Sequence, residues 1–439
     1  MKIEALDTAL PTRRTGLMAY ATICTGVIAL LFLTNWPSYQ YAVRGGPIPL
    51  YFYILPALLI IPMIFAEPAS MVRFAREPLF WWFVFFVLTG LIWLGFAQDI
   101  VDDASRQWRL RGQAVLIFYS VSLLAFYSQR RVVGWIVLGC TLLAIAFNWF
   151  DVLRPFRFVP AGLEGASEGR GAGLFINPNA AGAFVVMGTI ASLPFIPSRF
   201  RGALLVAAVF GVAATFSRGA LVMVAITLAG AVLLKLVKRG QGILLVLGVP
   251  LLVGGVSLSY DYLVDASDSR NIKAIVQRLD WFSQSTEDDF AVEGRKYGAR
   301  QAWEIFVDNP VTGKGPGAAS LSIQQEGPHN MYLLLMAEQG ILGLFLYVSL
   351  WVLLIRSGRR IARFARSVED RDIGNALVLF GVFIATYGFF SHNVHEEPFT
   401  IFVLAFLAAA GFATRRTQSP PDPLPRGRGA VVRGATSPI

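Results

Sequence analysis

The chain has only three histidines in 439 residues, and each sits beside other groups able to do chemistry. His329 follows Pro328 and precedes the apolar run Met331 to Leu335. An imidazole at the mouth of an apolar helix could act as a general base near neutral pH, or serve as a cap or structural donor. His392 and His395 stand three apart in Ser391-His392-Asn393-Val394-His395-Glu396-Glu397. Two imidazoles with carboxylates could ligate a divalent cation, but the spacing is not HExxH and no cysteine lies near. No metal is expected at His392 and His395.

Arg218 stands in Thr215-Phe216-Ser217-Arg218-Gly219-Ala220, between two apolar runs with almost no connection. It is either an anchor reaching for lipid headgroups or a functional charge at the membrane boundary. Arg295, Lys296 and Arg300 share one expected helix, on which Arg295 and Arg300 point about 140° apart. The acidic run Glu287-Asp288-Asp289 and Glu293 offers ordinary salt bridges. The chemical alternative is a diphosphate clamp: guanidinium forks match phosphate oxygens and can replace a metal ion at a leaving pyrophosphate. Glu338, in the otherwise apolar Ala337-Glu338-Gln339-Gly340, is expected to face the interior beside a cation. Asp99, Asp102 and Asp103 read as a solvated acidic loop or, alternatively, as a Mg²⁺ site on a phosphate.

The elements that position these groups must be membrane helices. The chain is 55% hydrophobic and 15% charged, where soluble domains carry about 25% charge. Apolar runs occur at 15–34, 47–66, 78–97, 112–127, 132–149, 173–195, 201–217, 219–237, 241–259, 330–355, 373–391 and 397–413. They are continuous rather than alternating, so helices are expected and not a barrel. The expected fold is an all-α membrane protein of about twelve transmembrane helices. Nine helices fall in 1–259 and three in 329–413. The segment 260–328 between helices 9 and 10 is expected to be a helical extracytoplasmic subdomain, with helices over Asn271–Phe282 and Arg295–Phe306. A tail from 414 to 439, rich in Pro, Arg, Gly and Ser, reads as disordered and cytoplasmic.

Charge sets the orientation. With the N-terminus inside, the cytoplasmic segments hold 23 of the 38 Lys and Arg residues, and the short inner loops are all basic. The net charge of +10 is then a matter of topology, and nucleic acid is not an expected partner. Thr34-Asn35-Trp36-Pro37 after the first run is no cleavage site, so that run reads as a retained helix. Cys24 and Cys140 fall in different runs and read as small core residues.

Four segments in order resemble the O-antigen ligase and polymerase superfamily. Gly173-Leu174-Phe175-Ile176-Asn177-Pro178-Asn179 is similar to its G-L-F-x-N-P-N segment, and Thr215 to Ala220 to its T-x-S-R-G segment. Gly294-Arg295, Ala302 to Phe306, Asn309-Pro310 and Gly313-Lys314-Gly315-Pro316-Gly317 resemble the outer-loop signature. His329-Asn330-Met331-Tyr332-Leu333, with Ala337 to Gly343, resembles the closing motif. The resemblance implies a glycosyltransferase of the bacterial inner membrane, with both termini cytoplasmic and its site on the periplasmic face. It implies transfer of a glycan from undecaprenyl diphosphate to an acceptor hydroxyl, without metal, nucleotide sugar or other cofactor. By position, Arg218 and Arg295 match the family's essential arginines and His329 its essential histidine. Arg300, Asn177, Asn179, Glu338, His392 and His395 are the candidates for substrate contact. Within the superfamily the expectation is an O-antigen ligase acting on lipid A-core. A polymerase or a protein O-oligosaccharyltransferase is the alternative, and a transporter the reading from outside the enzymes.

Overall fold

A computed structural model describes residues 4–68, 72, 74–95, 101–160, 170–238, 240–242, 290–319 and 327–418. The regular elements of the described residues are all helices, with no strand. The helices are α1 (Glu4–Leu33), α2 (Trp36–Arg44), α3 (Pro49–Leu59), α4 (Ile61–Ala66), α5 (Pro78–Leu94), α6 (Val101–Tyr127) and α7 (Arg130–Leu153). They continue with α8 (Pro178–Ser192), α9 (Ser198–Ala213), α10 (Arg218–Leu233), α11 (Phe290–Asp308), α12 (Met331–Arg363), α13 (Val368–Tyr387) and α14 (Pro398–Gln418).

The starts are written in the sequence. Pro49, Pro78, Pro178 and Pro398 each open a helix, where a missing N–H costs nothing. The side chains of Asn177, Ser217, Asn330 and Ser367 accept hydrogen bonds from the first-turn amides of α8, α10, α12 and α13.

Among the described residues, six stretches are long and apolar enough to cross a membrane: Thr15–Leu33, Pro49–Ala66, Trp108–Tyr127, Arg130–Leu153, Pro178–Phe195 and Met331–Arg363. Pro78–Leu94, Arg218–Leu233 and Pro398–Ala413 are shorter apolar helices. Large apolar side chains such as Ile23, Phe65, Leu233 and Phe345 point outward, as they do when lipid replaces water. The chain is thus a multi-pass membrane protein.

Several boundaries differ from the sequence reading. The run 47–66 breaks at Ile60, because Pro62 follows directly in the first turn of α4. The run 173–195 begins its helix only at Pro178, since Gly173–Phe175 forms a separate turn. The run 112–127 extends back to Val101, so Asp102 and Asp103 fall in the first turn of a helix and not in a loop. The expected helix over Arg295–Phe306 is present inside α11. The expected span 241–259, the expected helix Asn271–Phe282, Asp99 and the tail from 419 lie outside the described residues.

Helix α8 is the hub. Thirteen of its fifteen residues are buried, and α7, α9, α10, α13 and α14 all pack on it. A helix apolar all round must be enclosed in this way. The tightest seam joins α12 and α13, where Gly358 and Gly374 face each other. A Cβ on Gly358 would come to 2.7 Å from Val378 N, and one on Gly374 to 2.8 Å from Gly358 O. Helices without a hydrophobic drive between them gain from such close approach. Cys24 and Cys140 are buried core residues, as expected.

Buried charge fixes the end of the bundle opposite the candidate site. Arg201 on α9 reaches the carbonyl of Leu236 at 2.9 Å and Asp372 on α13 at 2.7 Å, and both side chains are almost wholly enclosed. At the surface, Arg131 meets Glu369 at 2.5 Å with most of its side chain exposed. Arg201→Ala leaves the buried Asp372 only the half-exposed Arg371 at 3.9 Å, and should cost up to about 3–5 kcal/mol. Arg131→Ala should cost little, because solvent screens an exposed pair. Thermal melts of the detergent-solubilised protein should therefore show a clear drop for the first variant and almost none for the second.

Candidate active site

The N-terminal ends of α8, α10, α12 and α14 gather at one end of the bundle. Gly182 of α8 sits against Thr215, Ser217 and Ala220, so that a Cβ there would come to 2.6 Å from the Ala220 methyl. Gly219 of α10 lies under Phe390, in the turn between α13 and α14. The amide of Met331, first residue of α12, donates to the carbonyl of Gly388 in the same turn at 2.7 Å. Phe399 of α14 meets Phe175, just before α8, with ring centroids 5.3 Å apart. The positive ends of four helix dipoles thus share one region, which favours an anion.

The segment before α8 is held from three sides. Asp151 at the end of α7 accepts from the amides of Ala172 and Gly173 at 3.0 and 3.2 Å. Asn35 donates to the carbonyl of Leu174 at 3.2 Å. The amide of Gly171 donates to the carbonyl of Ala214 at 2.8 Å. Arg170 then staples the first motif to the second: its Nε donates to the carbonyl of Thr215 at 3.0 Å and its Nη2 to Asn179 Oδ1 at 2.9 Å. Ile176 takes φ 66°, a left-handed conformation that a β-branched residue adopts only under constraint. Asn177 caps α8, and Arg218 stands exposed as the first residue of α10.

His329 has φ 47° and is half-buried immediately before the cap of α12. Its ring meets that of His392 edge-on, centroids 5.1 Å apart. His392 in turn packs against Gly327, where a Cβ would come to 3.0 Å from Nε2. Burial, then the neighbouring His329, pushes the His392 pKa down to about 4. His395 is buried deeper, its ring edge-on to Phe86 at 4.9 Å. Burial, then Arg111 and His392, hold it well below the ordinary value. Glu396 approaches its Nε2 at 3.4 Å, but with a neutral imidazole this is no ion pair. Glu397 is pushed up to about 8 by burial, against hydrogen bonds from Tyr387 and Thr400.

The third group lies within the spans. Glu338 has no exposed surface and pairs with Arg111 of α6, whose guanidinium lies over Phe86 at 5.1 Å. A buried carboxylate beside a cation is what the sequence called for. Its partner went unrecognised, although an arginine at the edge of an apolar run is itself a signal. Arg170 and Asp151 were also missed, because their work is local hydrogen bonding that no spacing announces.

The structure brings Arg218, His329 and His392 to one end of the bundle, with Asn177 and Asn179 beside the Arg218 turn. Arg295, Lys296 and Arg300 are exposed on α11. Arg300 pairs with Glu304 one turn along at 2.8 Å, an exposed contact worth about 0.3–0.5 kcal/mol. Among the described residues no three His, Cys, Asp or Glu are grouped to hold a metal ion.

Fold and site together define a multi-pass helical membrane protein with a polar cluster at one end of its bundle. Residues 203–348 match the family model for O-antigen ligase. The matched segment is a third of the chain and runs from α9 through α11 into α12, so it holds Arg218, Arg295, Arg300, His329 and Glu338. The match supports the O-antigen ligase/polymerase superfamily that the motifs resemble, and with it an O-antigen ligase/polymerase-type function. No curated protein matches the chain.

The neutral histidines carry a pH signature. Between about pH 6.5 and 4 the unfolded chain binds a proton at position 392 that the folded chain refuses, so stability falls as pH drops through that window. Glu397 acts in the opposite sense between 4.5 and 8, losing stability as pH rises. Melting profiles of His392→Gln against wild type isolate the first effect. The variant should lose less stability on acidification, by at most about 3 kcal/mol.

Proposed function

We propose that the protein is an O-antigen ligase, transferring a glycan from undecaprenyl diphosphate to a sugar hydroxyl of lipid A-core at the periplasmic face of the inner membrane. The observation that carries the reading is the meeting of the Arg218 turn and the His329 turn among four helix N-termini. In this reading His329 takes the proton of the acceptor hydroxyl as its oxygen attacks the anomeric carbon. The bond from that carbon to the diphosphate breaks, and the electron pair leaves with the lipid diphosphate. Arg218 and Arg295 stabilise the charge that develops there. A single displacement inverts the anomeric centre, and the donor's own phosphoglycosyl bond drives the transfer. Polymerase or protein O-glycosylation would use the same steps and differ only in the acceptor.

In this reading Asn177, Asn179 and His392 contact the sugars or the diphosphate. The basic ends of the bundle, at Arg130, Arg131 and Arg356 to Arg371, favour a cytoplasmic assignment for that face. Reporter fusions after Arg239 should then read cytoplasmic and fusions near Asp288 extracytoplasmic. A cytoplasmic signal at Asp288 would overturn the site assignment.

Single-turnover transfer with purified donor and acceptor separates the roles. His329→Ala should slow transfer by about 10²–10⁴-fold with donor binding little changed. Arg218→Ala and Arg295→Ala should weaken both donor binding and turnover, with Arg295→Lys rescuing only in part, since an ammonium lacks the planar fork. Activity should persist in EDTA. Transfer at the wild-type rate by His329→Ala, or normal binding and turnover in both arginine variants, would falsify the proposed roles.

A further inference from the structure

Helix α12 is not continuous. Gly340 takes φ 61° and ψ −150°, which breaks the backbone ladder in mid-helix. The freed groups are taken up by the loop that follows α11. Lys314 and Gly315 donate their amides to the carbonyls of Ala337 and Glu338, each at 2.9 Å, and Ile341 donates to the carbonyl of Pro310 at 2.9 Å. The loop fits because it is built on Gly313, Gly315 and Gly317, with φ of 63°, 91° and 87°. A Cβ on Gly313 would run into the main chain of Glu338, and one on Gly340 into that of Val311. The Glu338 side chain closes the joint: Oε1 accepts from the amide of Gly317 at 2.8 Å, and Oε2 pairs with Arg111.

We infer that Glu338 is a positioning residue, clasped by Arg111, that locks the 309–317 loop to α12 and so fixes the helix bearing Arg295 relative to the helix headed by His329. The inference rests on the reaction proposed above. It goes beyond that reading by giving Glu338 and Arg111 a role that involves no contact with substrate. With neither oxygen exposed and both engaged, Glu338 acts through the two elements it joins. Arg111 is likewise enclosed between α5 and α12: its Nη1 lies where a Cβ on Gly90 would approach to 3.3 Å. A clamp of this kind sets the relative placement of leaving-group and acceptor-side residues, and misplacement by about 1 Å can cost about 100-fold in rate.

The test uses full-length protein in nanodiscs, with Cys24 and Cys140 replaced by Ala and spin labels introduced by Glu304→Cys on α11 and Ser357→Cys on α12. Glu338→Ala should broaden the α11–α12 distance distribution, and Arg111→Lys should keep it narrow. In the unlabelled protein, Glu338→Ala should lower kcat about 10–100-fold, with acceptor KM changed less than about twofold. Arg111→Lys, which retains the charge, should stay within about threefold of wild type. Glu338→Gln keeps shape and an acceptor, and provides a folded intermediate case if the alanine variant does not insert. An unchanged distance distribution together with wild-type kcat in Glu338→Gln and any folded Glu338→Ala would overturn the inference. The label distances do not depend on the reaction, so wild-type transfer by His329→Ala sinks the proposed chemistry and leaves the clamp standing.

Discussion

Inside a bilayer a backbone amide or carbonyl has no water to turn to, and α12 breaks its own ladder at Gly340. That constraint shapes what surrounds it. The carbonyls of Ala337 and Glu338 need donors, and the amide of Ile341 needs an acceptor. All three find them in a single loop, which must therefore follow the helix closely and turn three times through left-handed glycine conformations. Trp93 of α5 adds a further tie, its indole N–H donating to the carbonyl of Thr312. The break in the helix and the glycine-rich loop are two halves of one structure, and the Glu338 carboxylate with its Arg111 partner seals them together.

The same economy of space governs the end where the helices start. Gly182, Gly219 and Gly327 are each placed where a side chain would meet a neighbouring element. Their absence of bulk lets the Arg218 turn, the His392 turn and the start of α12 come together. Hydrogen bonds then hold the approach: Arg170 to Thr215 and Asn179, Met331 to Gly388, Asp151 to the amides before α8. Close packing and local hydrogen bonding place the polar groups, and α8, buried on every side, provides the rigid centre they are referred to.

Much of this was legible in the sequence, for physical reasons. Proline at N1 and Asn or Ser at the N-cap are local signals, so most helix starts could be read directly. Boundaries were missed where two effects compete over a few residues, as at Ile60 and Pro62, or where a charged first turn such as that of α6 disguises a membrane helix. Glu338 announced itself, because a lone carboxylate in an apolar run must find a cation. Arg111 did not, because the residue that answers it is 227 positions away. His329 and Arg218 were legible through motif order. The packing of His392 against His329 was not, since it depends on how the α13–α14 turn folds back over the start of α12.

The gathering of helix N-termini has a consequence for the end of the catalytic cycle. In the proposed reaction the departing lipid diphosphate carries more negative charge than the bound donor did. A region that is positive by virtue of its backbone cannot relax when the bond breaks, because helix dipoles do not rotate away as side chains can. The spent carrier is then held at least as firmly as the substrate was. In the proposed reaction the site therefore opposes release of the product and its lateral escape into the bilayer.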